Sequence, residues 1–64
     1  MKFICLYTPH PIDMDKQELH YYINGKQVTG NKYAKQITKC FKLNNKPIKT
    51  SYKNNGTYKT ILEF

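Results

Sequence analysis

Residues 21–28 read YYINGKQV, and the choice between two folds turns on them. Asn24-Gly25 is the strongest short turn signal between paired strands, which would make this stretch a β-hairpin. The same residues also suit the end of a helix. Gly25 fits a left-handed C-cap, Asp13 or Asp15 fits an N-cap, and Glu18 stands three residues after Asp15 as the return half of a capping box. Leu19, Tyr22 and Ile23 then share one helical face. Because caps and apolar spacing agree, the helix is the favoured reading and the hairpin the alternative.

Upstream, KFICLYT at residues 2–8 alternates Phe3, Cys5 and Tyr7 with Ile4 and Leu6, the pattern of a strand buried on both sides, and Pro9 and Pro11 end it. Downstream, VTGNKYAKQITKCFKLNNK at residues 28–46 predicts a helix from about Gly30 or Asn31 to about Leu43, capped by Thr29. Tyr33, Ile37, Cys40 and Phe41 fall within an arc of about 100° and form the packing face. Lys32, Lys35, Lys39 and Lys42 fall in a separate arc of about 80° and project. Asn44, Asn45 and Pro47 stop this helix. PIKTSYKNNGTYKTILEF, residues 47–64, then holds two alternating runs around Asn54, Asn55 and Gly56, which predicts a terminal hairpin.

A chain of 64 residues makes a single domain, residues 1–64, with a thin core. Nine aromatics, six of them tyrosine, point to a folded protein. No secretory signal and no run of apolar residues long enough for a membrane span is present, so the expected location is cytoplasmic, with no membrane partner. Cys5 and Cys40 are then expected to be reduced thiols. Cys5, His10, His20 and Cys40 show none of the short paired spacings of a zinc site, so no metal is expected.

Charge is distributed unevenly. The net charge is +7, yet residues 1–25 carry Lys2 and Lys16 against Asp13, Asp15 and Glu18, whereas residues 26–64 carry nine lysines against Glu63. An AT-rich coding bias accounts for the missing arginine and part of the lysine count, but not for this asymmetry. A polyanion is the natural partner of such a surface.

The order of helix, short link, lysine-faced helix and β-hairpin in HYYINGKQVTGNKYAKQITKCF (residues 20–41) and SYKNNGTYKTILEF (residues 51–64) resembles a winged helix-turn-helix domain. The pattern is similar to small winged-helix modules that accompany replication proteins of phages, plasmids and other mobile elements. The resemblance implies an α+β fold of an N-terminal strand, two helices and a C-terminal β-hairpin, with Gly30–Leu43 as the recognition helix and residues 49–59 as the wing. The alternative fold, which follows if residues 21–28 are a hairpin, is an antiparallel sheet of β-hairpins packed on one central helix.

No catalytic constellation is present: three of the four acids lie within residues 13–18, where capping explains them, and His10, between two prolines, is expected to be exposed. His20 is expected on the first helix and Cys40 as an inert packing thiol. The protein is read as a non-enzyme without cofactor. Lysine suits phosphate contact better than bidentate base reading, so affinity should exceed sequence discrimination. The expected partner is DNA, single- or double-stranded, or RNA, held by Lys32, Lys35, Lys39 and Lys42 on the helix. Lys49, Tyr52, Lys53, Asn54, Asn55 and Lys59 on the hairpin extend that footprint, and the protein acts as a monomer or homodimer. The competing reading is a phage-encoded inhibitor that occupies an acidic or nucleic-acid-binding site on a host protein, with Tyr21, Tyr22, Tyr52 and Tyr58 as anchors.

Overall fold

In a computed structural model that describes residues 1–64, Asn24 and Gly25 both have positive φ, +51° and +83°, and the chain reverses between two strands there. Such tight turns need positive φ at both central positions, which asparagine and glycine tolerate. The helix expected over residues 13–24 is therefore absent. Its capping signals act over a much shorter distance: the Asp13 side chain accepts a hydrogen bond from the Asp15 amide at 3.0 Å and starts a single 3-10 turn, Met14–Lys16. Beyond that turn the β-branched and aromatic content of HYYI prevails over the helical spacing.

The elements are β1 (Lys2–Thr8), the 3-10 turn, β2 (Glu18–Ile23), β3 (Lys26–Val28), α1 (Gly30–Leu43), β4 (Ile48–Asn54) and β5 (Thr57–Glu63). They form one five-stranded antiparallel sheet in the order β3-β2-β1-β5-β4 with a single helix. This is the α+β alternative, a sheet of hairpins with one central helix. No helix precedes α1, so the two-helix unit that a winged helix-turn-helix requires is not formed. β1 does join the terminal hairpin, pairing with β5 from Lys2↔Glu63 to Tyr7↔Tyr58.

α1 and the terminal hairpin have the expected boundaries. Thr29 accepts from the Lys32 amide at 3.3 Å, and the Asn44 amide bonds the Cys40 carbonyl at the other end. Asn55 and Gly56 repeat the turn geometry of Asn24 and Gly25, with φ of +51° and +81°.

The packing face of α1 lies on one side of the sheet. Tyr33 meets Phe3 edge-on, with ring centroids 5.6 Å apart, and lies 4.8 Å from Tyr21. Phe41 meets Phe64 at 5.0 Å, Phe64 meets Phe3 at 5.5 Å, and the Cys40 thiol donates to Met1 Sδ at 3.6 Å. Aromatic edges and faces of opposite partial charge make this chain of T-shaped contacts favourable beyond the area it buries. Phe3 at its centre is fully buried, and Ile23, 9% exposed, is the only other buried residue.

α1 crosses the end of the sheet where β1 begins and β5 finishes. The expectation that β1 is buried on both sides does not hold: Ile4, Leu6 and Ile61 lie on the far side, half-buried among their strand neighbours with no second layer above them. β4 is an edge strand with every residue exposed. No helix of the protein is long and apolar enough to cross a membrane.

Candidate nucleic-acid interface

Direct cross-strand partners share a face of a sheet, and successive residues alternate between faces. Phe3 touches α1 through Tyr33, so the register places every strand residue on the helix-bearing face or on the open one. Through Leu62, Thr60 and Tyr58, the helix-bearing face includes Lys49, Ser51 and Lys53 of β4. Tyr52 and its partner Lys59 lie on the open face, as does Asn54, the partner of Thr57. Asn55 sits at the hairpin tip with positive φ.

The residues singled out in the sequence thus divide. Lys32, Lys35, Lys39 and Lys42 are exposed on the outer side of α1, opposite the aromatic contacts, and Lys49 and Lys53 lie on the same side of the sheet. Tyr52, Asn54 and Lys59 face away from them. Sequence reasoning missed Lys26, which pairs with Ile23 and so stands on the helix-bearing side, where it borders a shallow hollow with Lys32. The register that places Lys26 follows from the Asn24-Gly25 turn; the helical reading of that stretch concealed it.

Two lysine and tyrosine pairs flank the hairpin, one on each face. Lys53 Nζ lies 5.1 Å from the Tyr58 ring centroid on the helix-bearing side, and Lys59 Nζ lies 5.7 Å from the Tyr52 centroid on the open side. In each case an ammonium lies near the negative face of a ring. Tyr58 also stacks loosely on Tyr7, with centroids 6.1 Å apart and planes at 27°.

The electrostatics of α1 are one-sided. No acid lies on the helix, so Lys32, Lys35, Lys39 and Lys42 follow one another at spacings of three or four residues with no intervening counter-charge. Each such like-charge pair costs a helix about 0.2–0.5 kcal/mol. Lys42 alone gains from the helix dipole, being in the last turn. An anion laid along this row would relieve the repulsion, and the row is about 15 Å long at 1.5 Å per residue.

Both histidines have local hydrogen-bond partners. His10, expected to be exposed, is half-buried, and its Nδ1 accepts from the amides of Ile12 at 3.3 Å and Asp13 at 2.8 Å, fixing the link after β1. His20 stands on β2 rather than on a helix, 3.4 Å from the Gln27 side-chain amide. Cys5 and Cys40 are free thiols. Burial pushes the Cys5 thiol above its ordinary value, and it pushes the Tyr33 phenol up as well, with lesser contributions from neighbouring Cys5 and Tyr21. Comparison with protein-family models, with curated proteins and with solved structures finds no match, so the functional reading rests on this geometry.

Proposed function

We propose that this protein is a small basic nucleic-acid-binding protein that grips its partner through backbone phosphates, with DNA the first partner to test. The observation that carries the reading is the shared side of two lysine sets: the outer row of α1 (Lys32, Lys35, Lys39, Lys42) and the β4 pair Lys49 and Lys53. No acid interrupts the chain between Glu18 and Glu63, so nothing local neutralises them. Lysine binds phosphate as a point charge without reading bases, and the reading accordingly implies strong salt dependence and weak sequence preference. A lysine face serving only solubility would need no alignment between helix and hairpin.

Electrophoretic mobility shift with labelled DNA and labelled RNA at two salt concentrations tests this. Binding by the wild type that disappears in the Lys35→Glu, Lys39→Glu double variant is the expected result. A wild-type protein that shifts no nucleic acid at low salt would overturn it and favour a protein partner. The unpaired outer edge of β4 would then offer the docking place, since an extended acidic segment can add to such an edge as a further strand.

A further inference from the structure

Because α1 crosses only one end of the sheet, the other end of the same face is left uncovered between β1 and β5. Cys5 and Thr60, direct partners, form the floor of a hollow of about 520 Å³ there, and Tyr7, Pro9 and Tyr58 form its walls. The volume is within the range of small-molecule sites, about 300–1,000 Å³. The lining is apolar apart from the Thr60 hydroxyl and the tyrosine phenols. One of those phenols is already held, Tyr7 donating to the Gln17 side-chain oxygen at 3.1 Å. No cation lies inside, but Lys53 stands at the rim over the Tyr58 ring.

An apolar, aromatic recess bordered by a single ammonium contributes nothing to holding a duplex, whose outer surface is phosphate and whose bases stay stacked inside. It suits a strand whose bases are free: phosphates run along the cations while one base turns inward against the rings. Lys53 is placed accordingly, since a nucleotide's phosphate is tied to its base and falls beside any base stacked on Tyr58. In the free protein that ammonium rests 5.1 Å from the Tyr58 centroid, and a phosphate would draw it outward. Tyr58 itself is 44% exposed, so part of its ring is available without rearranging the core.

We infer that the uncovered hollow beside the Tyr7 and Tyr58 rings receives one unstacked base of a single-stranded nucleic acid, so that the protein holds single strands more tightly than duplex at equal ionic strength. This rests on the nucleic-acid reading above and names the form of nucleic acid that the helix-bearing side selects. The α1 row and Lys49 carry the flanking phosphates, and Tyr58 supplies the stacking surface.

Fluorescence anisotropy with an oligothymidylate and with a duplex of the same length, in the same buffer, tests the inference. The single strand should bind more tightly. Tyr58→Ala should weaken single-strand binding about tenfold, as loss of one base-stacking ring does, while duplex binding stays unchanged; Tyr58→Phe should behave as wild type. Alkylation of the unmodified protein, read peptide by peptide, needs no variant. Saturating oligothymidylate should slow modification of Cys5 on the floor of the hollow, the duplex should not, and Cys40 on the packing face of α1 should be indifferent to both. Should Tyr58→Ala fail to keep the wild-type circular dichroism, the Cys5 alkylation rates decide. Equal affinities for the two oligonucleotides, with Cys5 unprotected by either, would overturn the inference while leaving phosphate binding intact. Failure of both oligonucleotides, and of an oligouridylate of the same length, to bind would remove the parent reading as well.

Discussion

Lys2 and Asn24, 22 residues apart, exchange two hydrogen bonds: the Lys2 amide donates to Asn24 Oδ1 at 2.9 Å, and the Asn24 amide donates to the Lys2 carbonyl at 2.8 Å. The bend between β2 and β3 is thereby fastened to the first residue of β1. Ile23, just before the bend, is Phe3's partner across the strands, so the same tie sets the register of the buried pair.

Replacing Asn24 should therefore cost more than replacing Asn55, although both have φ of +51°. Alanine at either position meets the left-handed penalty, about 1–2 kcal/mol. Only Asn24→Ala also loses a side-chain hydrogen bond, worth about 1 kcal/mol. Urea unfolding should place Asn24→Ala about 1 kcal/mol below Asn55→Ala, and Asn24→Gly, which relieves the backbone but lacks the acceptor, between wild type and Asn24→Ala. Equal midpoints for the two alanine variants would show that the tie to Lys2 contributes nothing.

Phe3→Ala should leave the chain unfolded at room temperature. Its ring is fully buried and meets Tyr33 and Phe64, so truncation removes about 3–5 kcal/mol, comparable to the whole stability expected of so small a domain. Ile37→Asp should do the same from the helix side. Leu43→Gln, at a site 89% exposed, should keep the wild-type circular dichroism and melting temperature.

The parts of the fold that the sequence revealed are those whose signals are local and agree with one another. Thr29 caps α1, the arc from Tyr33 to Phe41 packs, and Asn55-Gly56 turns the last hairpin. Residues 13–24 misled because their local signals are genuine but short in reach: Asp13 caps three residues, and Leu19, Tyr22 and Ile23 suit a helical face only on paper. What decides their state is pairing with β1 and the Lys2 tie, contacts between residues distant in the chain. The side on which each hairpin lysine falls follows from strand alternation. Lys49 and Lys53 share a parity that Tyr52 does not, yet β5 shows how parity changes sides across a turn, for Lys59 joins Tyr52. The hollow at Cys5 was not legible, because it depends on how far α1 extends over the sheet.

Stability should fall on the alkaline side. Burial raises the Cys5 thiol, and burial with its neighbours raises the Tyr33 phenol, so the folded state holds both protons more tightly than the unfolded chain. The contribution is intact below the unfolded-state values and is lost as pH rises through the folded-state ones, since the unfolded chain ionises first. Urea midpoints measured from neutral pH upward should decline, beginning near the ordinary thiol value of 9.0. Cys5→Ala should flatten the early part of the decline. A midpoint that rises over this interval would contradict the burial of both groups.

The division of the hairpin between two faces yields the sharpest test of the binding surface. Lys53 and Lys59 lie one cross-strand step apart, each over a tyrosine ring, and differ mainly in the side to which they point. If phosphates run along α1 and onto the helix-bearing side of β4, Lys53→Gln should lower the slope of log affinity against log salt by roughly 0.7 to 0.9, the share of one phosphate contact. Lys59→Gln should leave the slope unchanged despite removing the same charge from the same hairpin. With seven lysines on the engaged side, Lys26, Lys32, Lys35, Lys39, Lys42, Lys49 and Lys53, the wild-type slope on duplex DNA should not exceed about 6.3 in magnitude, and about 4.9 on single strands. Equal effects of the two substitutions would mean that total charge, not its placement on one side, governs binding. A larger effect at Lys59 would move the interface to the open face, where Tyr52 and Asn54 stand.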